Sequence, residues 1–210
     1  DSAHLGSTVA TALLGTTLGA PAAGRPAERY GRRPVLQALA VLYFLSAIGC
    51  GVAGGWVSLL LFRFIGGLAI GGSSVVAPMY IAEIAPAAIR GRLVALSQFN
   101  VVAGILAAYL SNYVIAATVG GPESNAWRVM LGIAAVPAAL FFVFVRRIPE
   151  SPRWLVKQHR REEATEVLRQ VGSDDPAALV AEIAESLYEE TVSADEPVFQ
   201  RKYRKPILLA

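Results

Sequence analysis

The sequence is poor in cysteine, histidine and charge, and each shortage excludes a class of protein. Its one cysteine, Cys50, cannot form an intrachain disulfide or a cysteine-based zinc cluster. Charged residues make up 17% of the 210 positions, whereas soluble domains carry about a quarter. Hydrophobic residues make up 54%, and the mean hydropathy is +0.48. The chain is therefore too apolar to be a soluble domain.

Motifs of the common enzyme classes are also absent, so we predict neither an enzyme nor a bound cofactor. The sequence contains no Walker A, GxSxG or HExxH pattern. Gly49, Gly51 and Gly54 match GxGxxG, but that fingerprint requires a preceding strand and a following helix start, which this context does not offer. The net charge of +3 comes from basic clusters between apolar runs rather than from a basic face with aromatics, which argues against nucleic-acid binding.

Five apolar runs are long enough to predict membrane-spanning helices of about 20 residues each. They are Leu5–Gly24, Val35–Gly54, Val57–Ile81, Leu93–Val119 and Val129–Val145. The loops at 24–33, 82–92 and 146–161 carry the arginines, which places them in the cytoplasm by the positive-inside rule. The loops at 55–56 and 120–127 carry none, and Arg128 beside the latter is the one exception.

The chain becomes polar after Arg146, and its periodicity predicts two amphipathic helices at 155–171 and 176–190. Asp175 before Pro176 is a good N-terminal cap for the second helix. Residues 206–210 are predicted to begin another span. The chain does not begin with methionine, so the simplest expectation is a fragment of a longer protein. His4 and His159 fall on opposite sides of the predicted membrane, which excludes a metal site shared by the two.

The third run contains Arg63, a charge about 10 Å inside the predicted hydrocarbon by helical rise. A membrane-embedded charge predicts a functional site, although snorkelling of the long side chain to the interface is the open alternative. Small-xxx-small pairs, Gly15 with Gly19 and Gly67 with Gly71, predict close helix packing. Pro78 marks a potential kink and Pro137 a break.

Acidic and basic residues recur together at the three basic loops. They are Glu28, Arg29, Arg32 and Arg33 after the first run, Glu83 and Arg90 after the third, and Glu150 and Arg153 after the fifth. Such pairs could form a latch between two helical bundles. They could equally reflect membrane topology with weak surface pairing, worth about 0–1 kcal/mol per pair. Charge placement alone leaves both interpretations open.

Five motifs, taken in their order and spacing, closely resemble the sugar porter family of the major facilitator superfamily. They are GRPAERYGRR, RFIGGLAIGG, PMYIAEIAPAAIRGRL, SQFNVVAGIL and PESPRWL. The resemblance covers nearly the whole chain and implies an all-α membrane protein, a partial N-terminal bundle with a small intracellular helical domain. Residues 1–150 would be transmembrane helices two to six of twelve, 151–205 the cytoplasmic helical domain, and 206–210 the start of helix seven.

The resemblance also implies roles for single residues. Gln98 matches a glutamine that hydrogen-bonds the sugar, and Ile105 occupies a pocket position where some members have a second glutamine. Arg63 matches an arginine that lies near an acid on helix one in proton-coupled members. A cytoplasmic salt-bridge network, which favours the outward-facing state, would comprise Arg32, Arg33, Glu83, Arg90, Glu150 and Arg153. Glu28 stands where the family more often has Asp or Asn.

The implied function is transport of a monosaccharide by alternating access, through proton symport or facilitated diffusion, in a bacterial plasma membrane. The implied partners are the sugar, protons, the bilayer and the C-terminal helical bundle of the same protein. One alternative is a non-transporting sugar sensor of the same fold, although the polar segment is no longer than the family's usual intracellular domain. Another is a transporter of a polyol or other non-sugar solute.

Overall fold

The chain is all-helical in the computed structural model, which describes residues 2–86, 89–120, 125–173 and 175–194. Its elements in chain order are α1 Ser2–Tyr30, α2 Arg32–Val52, α3 Trp56–Ile84, α4 Arg90–Val119, α5 Ala126–Gly132, α6 Ala135–Val145, α7 Pro152–Lys157, α8 Arg161–Gln170 and α9 Pro176–Ala194. They form two compact units, one ending at Ser151 and the other beginning at Pro152. The all-α prediction is thereby confirmed.

Four helical segments of the described residues are long and apolar enough to cross a membrane. They are Arg32–Val52, Trp56–Ile84, Arg90–Val119 and Ala126–Val145, which correspond to the second to fifth predicted runs. The first helix, α1, is 29 residues long but is diluted by glycine, alanine and threonine, and it does not reach the same apolarity. Its placement as a span stays a prediction.

Helices α1 and α3 run parallel and interlock through four glycines. The ring of His4 lies 4.6 Å from that of Trp56, so the two helices begin at the same end of the unit. Gly15 packs against the backbone at Phe64 and Gly67, while Gly71 packs against the backbone of α1. A Cβ on Gly15, Gly19, Gly67 or Gly71 would lie closer than 3.0 Å to backbone atoms of the facing helix. The two small-xxx-small pairs therefore meet each other, which permits this close approach.

Helix α2 packs against α3 and against the start of α5. The Ser46 hydroxyl donates to the Phe62 carbonyl at 2.6 Å, and Gly49 accommodates the Phe62 ring. Arg128, the exception among the arginines, donates through Nη1 to the carbonyl of Ala53 at 2.6 Å, just past the end of α2. A cation there satisfies orphan carbonyls and complements the helix dipole. Arg128 thus has a local role that loop-charge counting does not consider.

Proline affects the two helices that contain Pro78 and Pro137 differently. Helix α3 continues without interruption through Pro78. The last span is divided into α5 and α6 at residues 133 and 134, four and three positions before Pro137. A proline ring clashes with the carbonyl four residues earlier, which accounts for a break upstream of the proline itself.

The second unit differs from its prediction at one point. The expected continuous helix at 155–171 is wrong, because α7 ends at Lys157 and α8 begins at Arg161. His159 adopts a left-handed backbone with φ of 62°, and the Arg160 N–H donates to the Leu155 carbonyl at 2.9 Å. This closes α7 with a Schellman-type cap. The predicted cap of α9 is present, since Asp175 Oδ1 accepts from the Ala178 N–H at 3.0 Å.

Candidate functional site

A buried ion pair joins the start of α2 to the end of α3. Arg32 Nε donates to Glu83 Oε2 at 2.9 Å and Nη2 donates to Oε1 at 2.7 Å, which is the bidentate fork geometry. The third guanidinium nitrogen, Nη1, donates to the Ala27 carbonyl at 2.9 Å. Arg32 is only 7% exposed, so this pair is shielded from water in a way that surface pairs are not.

A second carboxylate, Glu150, caps the N-terminus of α2. Its Oε1 accepts from the backbone N–H groups of Arg32 at 2.9 Å and Arg33 at 3.2 Å. Both donors are orphan amides at the positive end of the helix dipole. Gly31 leads into this turn with φ of 101°, and a Cβ there would collide with the Glu150 carboxylate. Glycine at 31 therefore gives the carboxylate access to the helix end.

Ser151 connects the two carboxylates. Its hydroxyl donates to Glu83 Oε2 at 2.5 Å, and its backbone N–H donates to Glu150 Oε1 at 2.9 Å. The residue is completely buried. Nearby, Tyr80 Oη donates to the Pro149 carbonyl at 3.0 Å and holds the same loop against α3. Arg32, Glu83, Glu150 and Ser151 are called the charge network below.

Sequence reasoning identified the three charged members of this network but missed Ser151, Tyr80 and Gly31. Uncharged side chains give no signal in an argument based on acid and base placement. The usable signal was their position, because each lies inside a motif quoted for the family resemblance: YGRR, PMYIAE and PESPRWL. A hydroxyl next to a recurring acid is a candidate hydrogen-bond donor to it.

Four other charged residues, which were predicted for the cytoplasmic salt-bridge network, lie outside the charge network. Arg33 Nη2 donates to the Arg146 carbonyl at 2.6 Å, which ties α2 to the end of α6. Arg90 Nη2 makes a long local contact of 3.4 Å with the Ala85 carbonyl. Arg153 belongs to the second unit, where its Nη2 lies 2.5 Å from Glu190 Oε1. Glu28 is exposed near the end of α1.

Arg63 lies half-buried on α3. Its Nε is shielded from solvent and has no hydrogen-bond partner among the described residues. The guanidinium is close enough to Tyr43 and Cys50 of α2 to act on them electrostatically. A shielded donor without a partner is costly on a helix that is apolar enough to cross a membrane. The functional role of Arg63 stays a prediction.

Gln98 and Ile105 both lie on α4, a helix with no buried residue in the described structure. Gln98 is exposed, and Ile105 is 53% exposed. Seven residues, about two helical turns, separate them, so they lie close to one face of the helix. No other described part of the chain covers that face. In the described ranges no cluster of three or more metal-ligating side chains occurs.

Comparison with known proteins gives matches to one protein family along the length of the chain. The profile of the family described as "Sugar (and other) transporter" matches residues 1–210. The chain is 42% identical over 202 residues to the glucose transport protein of Synechocystis, covering 93% of this chain and 42% of that protein. It is 37% identical to the major myo-inositol transporter IolT of Bacillus subtilis, covering 93% of this chain and 41% of that protein. The D-xylose-proton symporter of Escherichia coli is 37% identical, with 87% and 42% covered.

Solved structures give the same fold. The proton:xylose symporter XylE bound to 6-bromo-6-deoxy-D-glucose superposes with a TM-score of 0.86 at 35% identity, covering 91% of this chain and 45% of that one. A partially occluded inward-open structure of XylE from E. coli gives a TM-score of 0.85 at 36% identity, covering 90% and 50%. The chain spans about two fifths of the length of the curated relatives it matches.

Proposed function

The chain belongs to the sugar transporter family, and on that premise we propose that it carries part of a transporter that moves a monosaccharide across a membrane by alternating access. Residues 1–150 then form helices two to six of an N-terminal bundle, and residues 151–205 form its intracellular helical domain. Residues 206–210, outside the described residues, then begin helix seven. The observation that carries the proposal is the family match along the entire chain, 1–210.

The proposed sugar-binding face is that of α4. Gln98 offers a carbonyl acceptor and an amide donor, the combination that suits a sugar hydroxyl. It is exposed, as is Ile105 two turns further along, so both are available to a solute or to helices beyond this chain. An apolar side chain at 105 offers no hydrogen bond, so Gln98 carries the polar recognition on this helix.

The charge network is the proposed conformational lock at the cytoplasmic end. It ties together the start of α2, the end of α3 and the segment after α6 through partly buried contacts that cannot be separated without leaving a charge unpaired. Alternating access needs two discrete arrangements of packed helices around a central site. A buried network at helix ends can favour one of them, and we assign it to the outward-facing state.

Arg63 is the proposed coupling residue. Its Nε has no hydrogen-bond partner among the described residues, so the side chain can still receive an acid from another helix. An acid that pairs with Arg63 when ionised and releases it when protonated would link proton binding to helix movement. Without such an acid, the same arrangement supports facilitated diffusion.

Among candidate substrates we place a hexose or pentose first and a polyol second. The glucose transport protein of Synechocystis and the D-xylose-proton symporter of E. coli favour the first. The similarity to a myo-inositol transporter favours the second. We place the protein in a bacterial plasma membrane, with the α1–α2 turn, the α3–α4 connection and the segment after α6 on the cytoplasmic side.

The test is uptake by the complete protein in proteoliposomes, with glucose, xylose and myo-inositol each measured with and without a pH gradient. We expect one monosaccharide to accumulate, and Gln98→Ala to reduce its uptake at least tenfold because a desolvated polar contact is lost. Stimulation by an inward proton gradient would assign symport. Asn112→Ala is the matched control, since it removes another amide from the same helix near its far end.

Two results would overturn the assignment. Unchanged uptake of every sugar after Gln98→Ala would remove this residue from the substrate site. Uptake of myo-inositol without uptake of glucose or xylose would change the assigned substrate from a monosaccharide to a polyol. Equal amounts of wild-type and variant protein in the liposomes, measured by gel densitometry, keep a folding defect from being mistaken for a binding defect.

A further inference from the structure

An apolar groove runs between α1 and α2 in the first unit. It is open on one side, has a volume of about 540 Å³ and is lined by small or apolar side chains. Gly19, Ala22 and Pro26 form one wall, Ala38 and Leu42 form the other, and Leu68 of α3 lies at the base. The volume falls in the range of small-molecule pockets, about 300–1,000 Å³.

The groove exists because α1 packs on α3 rather than on α2. The four interlocked glycines bring α1 and α3 into backbone contact, whereas contact between α1 and α2 is much less extensive. Gly31, with its positive φ, forms the tight turn that joins the two helices at one end of the groove. Alanine, glycine and proline along the walls leave the space between them open.

The apolar walls make the groove a poor binding site for water. A buried water needs two to four polar partners, and these walls are almost entirely hydrocarbon. In a membrane protein, the apolar medium next to such a groove is the acyl region of the bilayer. An acyl chain would restore the van der Waals contacts that the open space lacks.

One end of the groove is net basic, because the exposed Arg25 and Arg29 outnumber the exposed Glu28 beside them. Tyr30 lines it and is 58% exposed, and the Arg29 guanidinium carbon lies 5.4 Å from the centroid of the Tyr30 ring. Arg25, one turn earlier on α1, is exposed beside Pro26. Neither arginine forms an ion pair with another residue in the described parts of the chain. Two available guanidinium groups next to an aromatic ring complement a phosphate at the membrane surface.

We propose that this groove is a binding site for an anionic phospholipid of the surrounding bilayer. One acyl chain lies between α1 and α2, and the phosphate contacts Arg25 and Arg29. Tyr30 lies at the boundary between the two, where aromatic residues are favoured in membranes. The site rests on the proposed function only through the placement of this chain in a bilayer. Since Arg32 follows Tyr30 by two residues, the bound lipid would stabilise the helix ends that carry the charge network.

Native mass spectrometry of the complete protein tests the site directly. After delipidation in detergent, phosphatidylglycerol and phosphatidylcholine of identical acyl composition are added back in equal amounts. We expect retention of phosphatidylglycerol to exceed that of phosphatidylcholine. The double variant Arg25→Gln and Arg29→Gln should reduce phosphatidylglycerol retention by roughly tenfold to thirtyfold, given two lost phosphate contacts.

A variant that fills the groove distinguishes a specific lipid site from a general attraction of anionic lipids to the arginines. Ala38→Phe should reduce retention of both lipids, because its ring occupies the acyl position. Arg92→Gln is the matched control, an exposed arginine at the start of α4, and it should leave retention unchanged. A phosphatidylglycerol with a photoreactive acyl chain should label the peptide that contains Ala38 and Leu42.

Three results would overturn the proposal. One is equal phosphatidylglycerol retention by the wild type and the double variant. Another is that the double variant lowers phosphatidylglycerol retention while Ala38→Phe does not, which would mean that the lipid is attracted to the surface without entering the groove. The third is no labelling of the Ala38 peptide, which would mean that another part of the protein covers this face. Sugar uptake measured on the same samples in phosphatidylcholine liposomes should be unchanged by all three variants, so failure of transport and failure of lipid binding remain distinguishable.

Discussion

Ser151 is a small side chain with a large expected effect. Its hydroxyl donates to a carboxylate that already pairs with Arg32, and the residue is completely buried. Hydrogen bonds to charged groups are worth about 1.5–3 kcal/mol, roughly twice those between neutral groups. Ser46 provides the neutral counterpart, since its buried hydroxyl donates to the Phe62 carbonyl at 2.6 Å.

We therefore predict that Ser151→Ala lowers the thermal unfolding temperature of the detergent-solubilised protein more than Ser46→Ala does. The expected cost of the former is about 2 kcal/mol and of the latter about 1 kcal/mol. Differential scanning fluorimetry of both variants beside the wild type measures the difference. A smaller shift for Ser151→Ala than for Ser46→Ala would mean that this hydroxyl does not support the charge network.

The charged members of the site could be predicted from sequence, but their partners could not. Arg32, Glu83 and Glu150 belong to the basic stretches between the apolar runs, which the topology brings to one end of the bundle, and this is a strong signal. Which acid meets which base depends on Gly31, whose positive φ opens α2 to the Glu150 carboxylate. Arg153 shows the limit most clearly, because charge spacing grouped it with Glu150 while the fold pairs it with Glu190 on α9.

At the scale of the helix pair, the glycines of α1 and α3 are the strongest constraint in the first unit. A Cβ at Gly67 would meet the backbone of α1, which cannot move away as a side chain can. A Cβ at Gly24, also in α1, would meet nothing within 4 Å. These two positions share a residue type and a secondary structure and differ only in what faces them.

We predict that Gly67→Ala lowers the thermal unfolding temperature by several degrees, because it forces α1 and α3 apart. Gly24→Ala should leave that temperature unchanged or raise it, since alanine is favoured over glycine in a helix by about 1 kcal/mol. The two variants can be compared by scanning fluorimetry in one detergent. Similar shifts in both would argue that the close packing of α1 on α3 contributes little.

The turn between α7 and α8 and the turn after α8 are closed by the same type of hydrogen bond, but their left-handed residues differ. His159 has φ of 62°, and Gly172 has φ of 84° in the matching turn, where the Ser173 N–H donates to the Leu168 carbonyl at 3.1 Å. Glycine adopts this conformation without the steric cost of a Cβ. We predict that His159→Gly slows hydrogen exchange at the Arg160 amide, whereas Gly172→Ala accelerates it at Ser173.

Exchange mass spectrometry of the α7–α8 peptides in the complete protein measures both effects. Faster exchange at Arg160 after His159→Gly would show that the imidazole stabilises the turn by other contacts. Sequence reasoning missed this turn because neither glycine nor proline marks it and histidine is not a typical helix terminator. Pro137, in contrast, correctly predicted a broken span, but the break lies at residues 133 and 134. The sequence predicted that these helices exist, but the residues at which they begin and end depend on local backbone contacts.

For the whole molecule, the sequence-derived fold class holds because membrane spans are dictated by length and apolarity, which are local properties. Whether the charges form a latch or only reflect membrane topology depends on how the helices pack. The structure bears on this question through the burial of the ion pair. Arg32 and Glu83 form a buried bidentate pair, for which loss of one partner costs about 3–5 kcal/mol. An exposed pair that reflects topology alone would cost at most about 1 kcal/mol.

We predict that Glu83→Arg shifts the complete protein toward the inward-facing state, because two guanidinium groups then face each other at the cytoplasmic end. The shift is measured as the ratio of modification rates of single cysteines introduced on the two sides of the central pathway. The charge swap Arg32→Glu with Glu83→Arg should restore part of the wild-type ratio, since attraction returns although the side-chain contacts with Ala27 and Ser151 do not. Arg160→Glu is the control, as its exposed partner Glu163 is three residues away within the second unit. A ratio unchanged by Glu83→Arg would reduce the network to a stabiliser of the bundle, since a lock must alter the population of the state it holds.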